Sequence, residues 1–224
     1  MIVPPVLFPI VGFQVHFLDL AEQRVARIAA GALVVKGVLH HLVEGLQEVL
    51  EYIKTFDHVH TTNNSYFDEQ LPKLAEQGIS VSYDFSGQWV DEERVKKVAP
   101  YITYAFLSCG SVSREDAEEI CKKMFRAGCP MVIATRGSYG AVLFDGTQFY
   151  EQPPHLVEAV DTLGAGDSFA TAFLLSFLES RKKYGIQMKE SIYEKEIRKA
   201  LEAGAEFSSK TCMVQGAFGH GKSF

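Results

Sequence analysis

The chain has 224 residues, the length of one compact domain or of one domain with a small addition. Hydrophobic residues make up 47% and charged residues 22%, so a sizeable core is available and the chain is not disordered as a whole. The 22 Lys and Arg residues against 28 Asp and Glu residues leave a net charge of −6, which argues against nucleic-acid binding as the main activity.

The cysteines and the N-terminal segment bear on the cellular compartment. Four cysteines form no Cys-x-x-Cys pair and lie in apolar stretches, which is typical of reduced, buried thiols. Residues 1–13 are apolar, but they have no cationic start and contain three prolines, so we interpret them neither as a signal peptide nor as a membrane span. We therefore expect a cytoplasmic protein without a membrane partner.

Helical and extended patterns alternate from residue 40 onward. In the first part, helices are predicted at about 42–53, 67–78 and 91–98, and strands are predicted at 58–62, 79–85 and 102–107. The strongest helix prediction follows, because Ser113 and Asp116 form a capping box and Gly128 ends the apolar face.

The second part continues the alternation. Strands are predicted at 131–135, at 141–144 and 148–150 as a hairpin, and at 156–160, followed by helices at about 167–178 and 191–210. This order predicts an α/β fold with a doubly wound, mainly parallel sheet. Ligands of such sheets bind beyond the carboxyl ends of the strands, so the loops after residues 107, 135 and 160 are the candidates for a site.

The loop after residue 160 carries the most informative motif. It precedes a helix that is apolar nearly all round and therefore predicted to be buried, with unpaired N–H groups and a positive dipole in its first turn. Because Gly164 and Gly166 lack side chains, an anionic oxygen can approach the amides of residues 164–167. In a phosphoryl transfer Asp167 can accept the hydroxyl proton. A plain glycine turn, with Asp167 only complementing the helix dipole, is the alternative that spacing leaves open.

The segment from Asp161 to Asp167, with Ser168 and Phe169 after it, resembles the Asp-Thr-x-Gly-Ala-Gly-Asp signature of the ribokinase-like, phosphofructokinase-B carbohydrate kinases. Within that family, residues 83–89, 135–140 and 216–218 are most similar to fructoselysine 6-kinases. The resemblance covers about residues 50–220. It implies an ATP-dependent kinase that phosphorylates a primary hydroxyl of a sugar or glycated amino acid, with fructoselysine as the leading substrate.

The resemblance also implies roles for individual residues. Asp167 is the implied catalytic base, beside an anion hole formed by Gly164, Ala165 and Gly166. The implied nucleotide-binding residues are Thr135, Gly137, Gly140 and Gly216. Asp161 matches a position associated with monovalent-cation loops, so K⁺ is considered beside ATP and Mg²⁺. Asp84 is a substrate-binding candidate, and no residue is assigned as a metal ligand.

Two departures from the family pattern concern metal and sugar binding. Where many relatives have an Asn and a nearby Glu, this chain has Ser108-Cys109-Gly110 and then Glu115. The family's opening Gly-Asp strand and Gly-Gly segment have no match, which predicts a kinase that lacks the N-terminal strand and part of the lid. We expect a lid remnant with an unassigned N-terminus at residues 1–38 and a kinase domain at residues 39–224. The family also forms dimers through the lid, and the sequence leaves a homodimer open.

Other interpretations remain at this point. The function can instead be that of a non-catalytic, truncated nucleotide-binding protein, or of a related kinase for another ketose, a ketodeoxy acid or a nucleoside.

Residues 216–223 match the P-loop pattern, but no helix follows them. A dinucleotide fingerprint starting at Gly164 fails at Phe169. His58 and His60 share a strand face without a third metal ligand. Tyr83 and Trp89 fit either a substrate pocket or the core.

Overall fold

The computed structural model describes residues 15–19, 24–28, 50–185 and 187–216. The strands in these ranges are β1 (Val15–Asp19), β2 (Arg24–Ile28), β3 (His58–Thr62), β4 (Val81–Ser86), β5 (Tyr104–Ser108), β6 (Met131–Thr135), β7 (Ala141–Phe144) and β8 (Phe149–Gln152). The α-helices with both ends in these ranges are α1 (Leu71–Glu76), α2 (Glu92–Val98), α3 (Arg114–Arg126), α4 (Ala165–Tyr184) and α5 (Glu190–Cys212). Residues 50–53 are also helical.

The chain divides into two units, Met1–Asp84 and Phe85–Phe224. In the first unit, β1 pairs antiparallel with β2 and β3, and β3 pairs parallel with β4. In the second unit, β5 pairs parallel with β6, whereas β6, β7 and β8 pair antiparallel in sequence. Each parallel pair is connected through a helix, α1 or α3, because a parallel connection must cross from one end of the strand to the other. The predicted α/β class is confirmed.

The predicted domain boundary after residue 38 lies outside the described residues and stays a prediction. The same is true of most of the helix predicted at 42–53, of which residues 50–53 are helical. Within the described residues, no helix is long and apolar enough to cross a membrane.

Local signals in the sequence explain where the helices of the second unit begin. At α2, the Asp91 carboxylate accepts the N–H groups of residues 93 and 94 at 3.1 and 3.2 Å. At α3, the Ser113 hydroxyl accepts the Asp116 N–H at 3.0 Å and donates to the Asp116 carboxylate at 2.7 Å. The N-cap bond of the predicted capping box is thus confirmed, whereas the Asp116 carboxylate accepts the Ser113 hydroxyl rather than the Ser113 N–H.

The strand predicted at 156–160 is wrong. Residues 153–159 have no regular secondary structure, and Leu156 and Val160 are 75% and 66% exposed. The segment 156–160 is apolar apart from Glu158, but Pro153 and Pro154, directly after β8, supply no N–H donor for a sheet. The segment instead lines a cleft, as described below.

Aromatic rings form the core that holds α4 in the second unit. Phe173 stacks on Phe177 with ring centroids 5.7 Å apart, and Phe106 of β5 meets Phe173 edge-on at 5.9 Å. Tyr104 of β5 meets Phe177 edge-on at 6.2 Å. Such ring pairs contribute roughly 0.5–1.5 kcal/mol each beyond their buried area. The buried helix predicted after the signature is therefore anchored along β5, with its first turn at the surface.

Candidate active site

The signature motif forms the loop before α4 and the first turn of that helix. Gly164 is the N-cap with φ of 80°, a left-handed conformation that favours glycine, and α4 runs for 20 residues from Ala165. A helix of this length has a positive dipole end and unpaired N–H groups in its first turn.

The first turn of α4 leaves two amides open. Ala165 donates its N–H to the Thr162 carbonyl at 3.2 Å, so this member of the implied anion hole is already hydrogen-bonded. The N–H groups of Gly166 and Asp167 have no hydrogen-bond acceptor among the residues that the structure describes. The Asp167 side chain is exposed and forms no ion pair within the same residues. An acid and two free donors therefore share one turn of helix.

A cleft of about 250 Å³ in the second unit opens beside this turn. It is lined by Thr135, Gly137 and Gly140 at and after the end of β6, and by Ala165 and Gly166 of α4. The structure thus brings together three of the four implied nucleotide-binding residues and two residues of the implied anion hole. Its volume lies close to the lower end of the range for small-molecule sites, about 300–1,000 Å³.

The turn after β6 brings the main chain of Gly140 close to the main chain of Gln152. Gly140 has φ of 85°, and a Cβ built there would stand 2.1 Å from the carbonyl oxygen of Gln152, so only glycine fits. Its carbonyl accepts the Arg136 N–H at 2.7 Å, which closes the turn. Gly137 also has a positive φ, 56°, but a Cβ there would meet nothing within 4 Å. Gly140 therefore fixes the shape of this wall of the cleft.

Asp161 is bound by main-chain amides. Its carboxylate oxygens accept the N–H of Leu163 and the N–H of Gly216, each at 2.9 Å. These two N–H groups lower the pKa of Asp161 below its ordinary value, the Leu163 amide more than the Gly216 amide. Asp161 thus lies next to Gly216, 55 residues away in sequence. The implied role of Asp161 at a cation remains a prediction.

Five implied site residues do not line the cleft. Gly164 and Asp167 belong to the turn beside it, and Gly216 donates its N–H to Asp161, which does not line it either. Asp84 is the last residue of the first unit, where its carbonyl accepts the Asn63 N–H at 2.9 Å. The substrate role of Asp84 stays a prediction.

Sequence reasoning missed the wall of the cleft formed by α5. This wall consists of small side chains at helical spacing: Ala205, Ser208, Ser209 and Cys212. Their i, i+3, i+4, i+7 spacing was the available signal, since it places them on one helix face. Gln152 and His155 also line the cleft, and both are bound to Glu202 of α5, at 2.8 and 2.9 Å.

The histidine pair of the first unit is joined by serine hydroxyls. His58 is fully buried, and its Nδ1 and Nε2 contact the hydroxyls of Ser80 and Ser82 at 3.0 and 2.8 Å. His60 Nδ1 contacts the same Ser82 hydroxyl at 2.7 Å. Burial, and then the nearby His60, lower the pKa of His58 to about 3.

The possible metal ligands, the cysteines and the P-loop match form no further site within the described residues. Within the described residues, no three His, Cys, Asp or Glu side chains converge on a common point. Burial raises the pKa of the Cys109 thiol to about 11, so this residue of the Ser108-Cys109-Gly110 segment is a neutral core thiol. Cys121 and Cys129 are buried and Cys212 is half-buried, all four as free thiols. Apart from Gly216, the P-loop match lies outside the described residues.

Three aromatic residues that the sequence analysis named have defined positions. Phe169 is buried under the cleft, and its ring lies 3.1 Å from where a Cβ on Gly204 would stand, so it joins α4 closely to α5. Tyr83 is fully buried and donates its hydroxyl to Asp68 at 2.7 Å, which makes it a core residue of the first unit. Trp89 donates its indole N–H to the Ser108 carbonyl at 3.0 Å.

Two curated relatives have names that describe sugar-amine kinases. The chain is 37% identical over 172 residues to fructosamine kinase FrlD of Bacillus subtilis, which covers 77% of this chain and 55% of that protein. It is 32% identical over 128 residues to fructoselysine 6-kinase of Escherichia coli, which covers 57% of this chain and 48% of that protein. The chain thus spans about half the length of these relatives.

Solved structures of low sequence identity have the same fold. The acarbose kinase Mak1 superposes with a TM-score of 0.61 at 22% identity, over 95% of this chain and 65% of that chain. A putative ribokinase II of E. coli, solved in complex with ATP and Mg²⁺, superposes with a TM-score of 0.56 at 18% identity, over 74% and 55% of the two chains. The family profile described as pfkB family carbohydrate kinase matches residues 13–219. This chain therefore belongs to the pfkB family of carbohydrate kinases.

Proposed function

We propose that this chain is an ATP-dependent sugar kinase that transfers the γ-phosphoryl group to a primary hydroxyl of a sugar or glycated amino acid, with fructoselysine as the leading substrate. The observation that carries the proposal is the open first turn of α4. There the N–H groups of Gly166 and Asp167, and the Asp167 carboxylate, have no partner within the described residues, and a cleft opens beside them.

The cleft supports nucleotide binding by its shape and polarity. Its apolar wall at Pro154, Leu156 and Val157 suits a flat, largely apolar base, and the small side chains of α5 leave room for it. The phosphate end lies toward Gly166, where the amides and the helix dipole favour negative charge. Glycine at positions 137 and 140 lets main chain approach the nucleotide without side chains between them.

The chemistry assigned to this turn is a proton transfer coupled to phosphoryl transfer. The Asp167 carboxylate accepts the proton of the sugar hydroxyl, and the sugar oxygen forms a bond to the γ-phosphorus. The bond from that phosphorus to the β,γ-bridging oxygen breaks, and ADP leaves with the electron pair. The amides of Gly166 and Asp167 stabilise negative charge on the phosphoryl oxygens during transfer.

Magnesium fits this site as a partner of the nucleotide. The described residues contain no cluster of three metal-ligating side chains, and Mg²⁺ commonly binds through substrate phosphates and waters with one or two carboxylates. Bound in that way, Mg²⁺ would neutralise phosphate charge. K⁺ near Asp161 is the weaker part of the proposal, since both oxygens of that carboxylate already accept amide N–H groups.

The substrate assignment rests on the two relatives that are named for fructosamine and fructoselysine. The chain is also 30% identical over 129 residues to a cytidine kinase of Thermococcus kodakarensis. A nucleoside is therefore the acceptor against which fructoselysine should be compared. Both substrates carry a primary hydroxyl that the proposed base can deprotonate.

The test measures ADP release by the purified chain with ATP, Mg²⁺ and one acceptor at a time: fructoselysine, fructose or cytidine. The proposal predicts ADP release that depends on the acceptor and is fastest with fructoselysine. Faster release with cytidine would overturn the substrate assignment. ATP binding by isothermal titration calorimetry without release for any acceptor would favour a non-catalytic nucleotide-binding protein.

A further inference from the structure

The last turn of α5 holds the start of the signature loop through main-chain bonds. The Cys212 carbonyl accepts the N–H groups of Val160 and Asp161 at 2.8 and 3.2 Å. Four residues later, the Gly216 N–H binds the Asp161 carboxylate. The loop therefore begins at a fixed point on the C-terminal end of α5.

The other end of the loop is attached to the same turn by side chains. The hydroxyls of Ser168 and Thr211 lie 2.6 Å apart, and these residues are 0% and 4% exposed. The Thr211 hydroxyl also lies 3.2 Å from the Phe207 carbonyl, to which it donates. Because each hydroxyl has one proton, Ser168 donates to Thr211 when Thr211 donates to Phe207.

We propose that Thr211 is a positioning residue that, through Ser168, fixes the first turn of α4 and with it the Gly166 amide and the Asp167 carboxylate. Ser168 directly follows Asp167, so movement of one displaces the other. The inference rests on the proposed function, in which phosphoryl transfer needs these groups in place to within about 1 Å. Thr211 is not a catalytic residue, since the proposed mechanism brings it into contact with neither nucleotide nor acceptor.

The pair is suited to this role because it is buried. Water cannot replace a lost partner there, so removing the Thr211 hydroxyl leaves the Ser168 hydroxyl unpaired in the interior. The first turn of α4 then relaxes toward solvent or another acceptor, and the amides that face the cleft move with it.

Three variants separate positioning from general stability. Thr211→Val keeps the shape but removes the hydroxyl, and Thr211→Ser restores the hydroxyl. Ser180→Ala is the matched control, because the Ser180 hydroxyl joins the same two helices away from the loop, donating to the buried Glu196 carboxylate at 2.6 Å.

Hydrogen exchange of the amides of residues 160–168, without nucleotide, measures how readily the loop opens locally. Isothermal titration calorimetry measures the affinity for Mg·ATP. In Thr211→Val we expect exchange to accelerate and affinity to fall, each by about fivefold or more, the size of one net hydrogen bond. Thr211→Ser should restore both values. Ser180→Ala should lower the unfolding midpoint and leave both values unchanged.

Unchanged exchange in Thr211→Val would overturn the positioning role, whatever the chain binds. Faster exchange with unchanged affinity would overturn the link between the pair and the amides of α4. If the unsubstituted chain binds no Mg·ATP, the proposed function fails, and the role of Thr211 in nucleotide binding fails with it. The exchange data still test whether the contact between Ser168 and Thr211 holds the loop.

Discussion

The two polar clusters of the chain differ in how their hydrogen bonds are satisfied. In the first unit, both ring nitrogens of His58 have serine partners, and the His58 ring is fully buried. In the second unit, Gly166 and Asp167 present polar groups that have no partner within the described residues. A buried network with complete partners stabilises a fold, whereas open donors beside a cleft are available to a ligand. Changes at the two clusters should therefore affect different measurements.

The largest expected effect is on catalysis by Asp167. Asp167→Asn removes the proton acceptor, so acceptor-dependent ADP release should fall by about 10²–10⁴-fold, the usual contribution of a general base. The affinity for Mg·ATP and the unfolding midpoint should change little, since the side chain is exposed. Glu179→Gln, an exposed acid farther along α4, is the control and should retain full release. Undiminished release by Asp167→Asn would exclude it as the base.

The next effect is on the stability that the histidine and serine cluster of the first unit provides. His58→Ala removes a fully buried ring and leaves the Ser80 hydroxyl without its ring partner, so the free energy of unfolding should fall by about 2–4 kcal/mol. Urea denaturation followed by circular dichroism measures this loss. A metal site would give a different outcome: Zn²⁺ would raise the unfolding midpoint of the unsubstituted chain but not that of the variant.

The same histidine gives a pH dependence of stability. Because the folded pKa of His58 is about 3 and its unfolded value is 6.5, the unfolded chain binds the proton more readily below pH 6.5. The contribution of His58 is thus complete above pH 6.5 and is lost by about 1.4 kcal/mol per pH unit as the pH falls toward 3, or about 2 kcal/mol at pH 5. Denaturation at pH 7 and pH 5 measures it, and His58→Phe should lack this component. An equal pH dependence in that variant would contradict the assignment.

The smallest expected effect on stability has the opposite sign. A Cβ on Gly166 would meet nothing within 4 Å, and alanine favours the helix, so Gly166→Ala should leave the free energy of unfolding unchanged or raise it by up to about 1 kcal/mol. Affinity for Mg·ATP should nevertheless fall by roughly tenfold, because the methyl group enters the cleft where phosphate would approach. Calorimetry and urea denaturation together test this separation. Lower stability with unchanged affinity would contradict it.

Much of the second unit could be predicted from the sequence because its signals are local. The N-cap at Ser113, the hairpin across residues 145 and 146, and the strand at 131–135 depend on neighbouring residues, and all three are confirmed. The segment at 156–160 has a strand-like apolar pattern, but its place depends on a cleft formed by distant elements. The local pattern alone could not distinguish a buried strand from an exposed apolar segment that lines a cleft.

The candidate site was predictable in its motif but not in its contacts. The turn of Gly164, Gly166 and Asp167 follows from the spacing of small residues before an apolar helix. The contact between Ser168 and Thr211 and the α5 wall of the cleft depend on segments about 40 residues or more apart in sequence. Only the folded structure brings those groups together.

The central claim is that the open first turn of α4 binds the phosphate groups of ATP. Nuclear magnetic resonance of the ¹⁵N-labelled chain, titrated with Mg·ATP, observes the responsible N–H groups directly. The account predicts saturable shifts of the Gly166 and Asp167 amide signals, together with signals of the cleft wall at Thr135 and Gly140. Saturable binding that leaves the Gly166 and Asp167 signals unmoved would contradict the account.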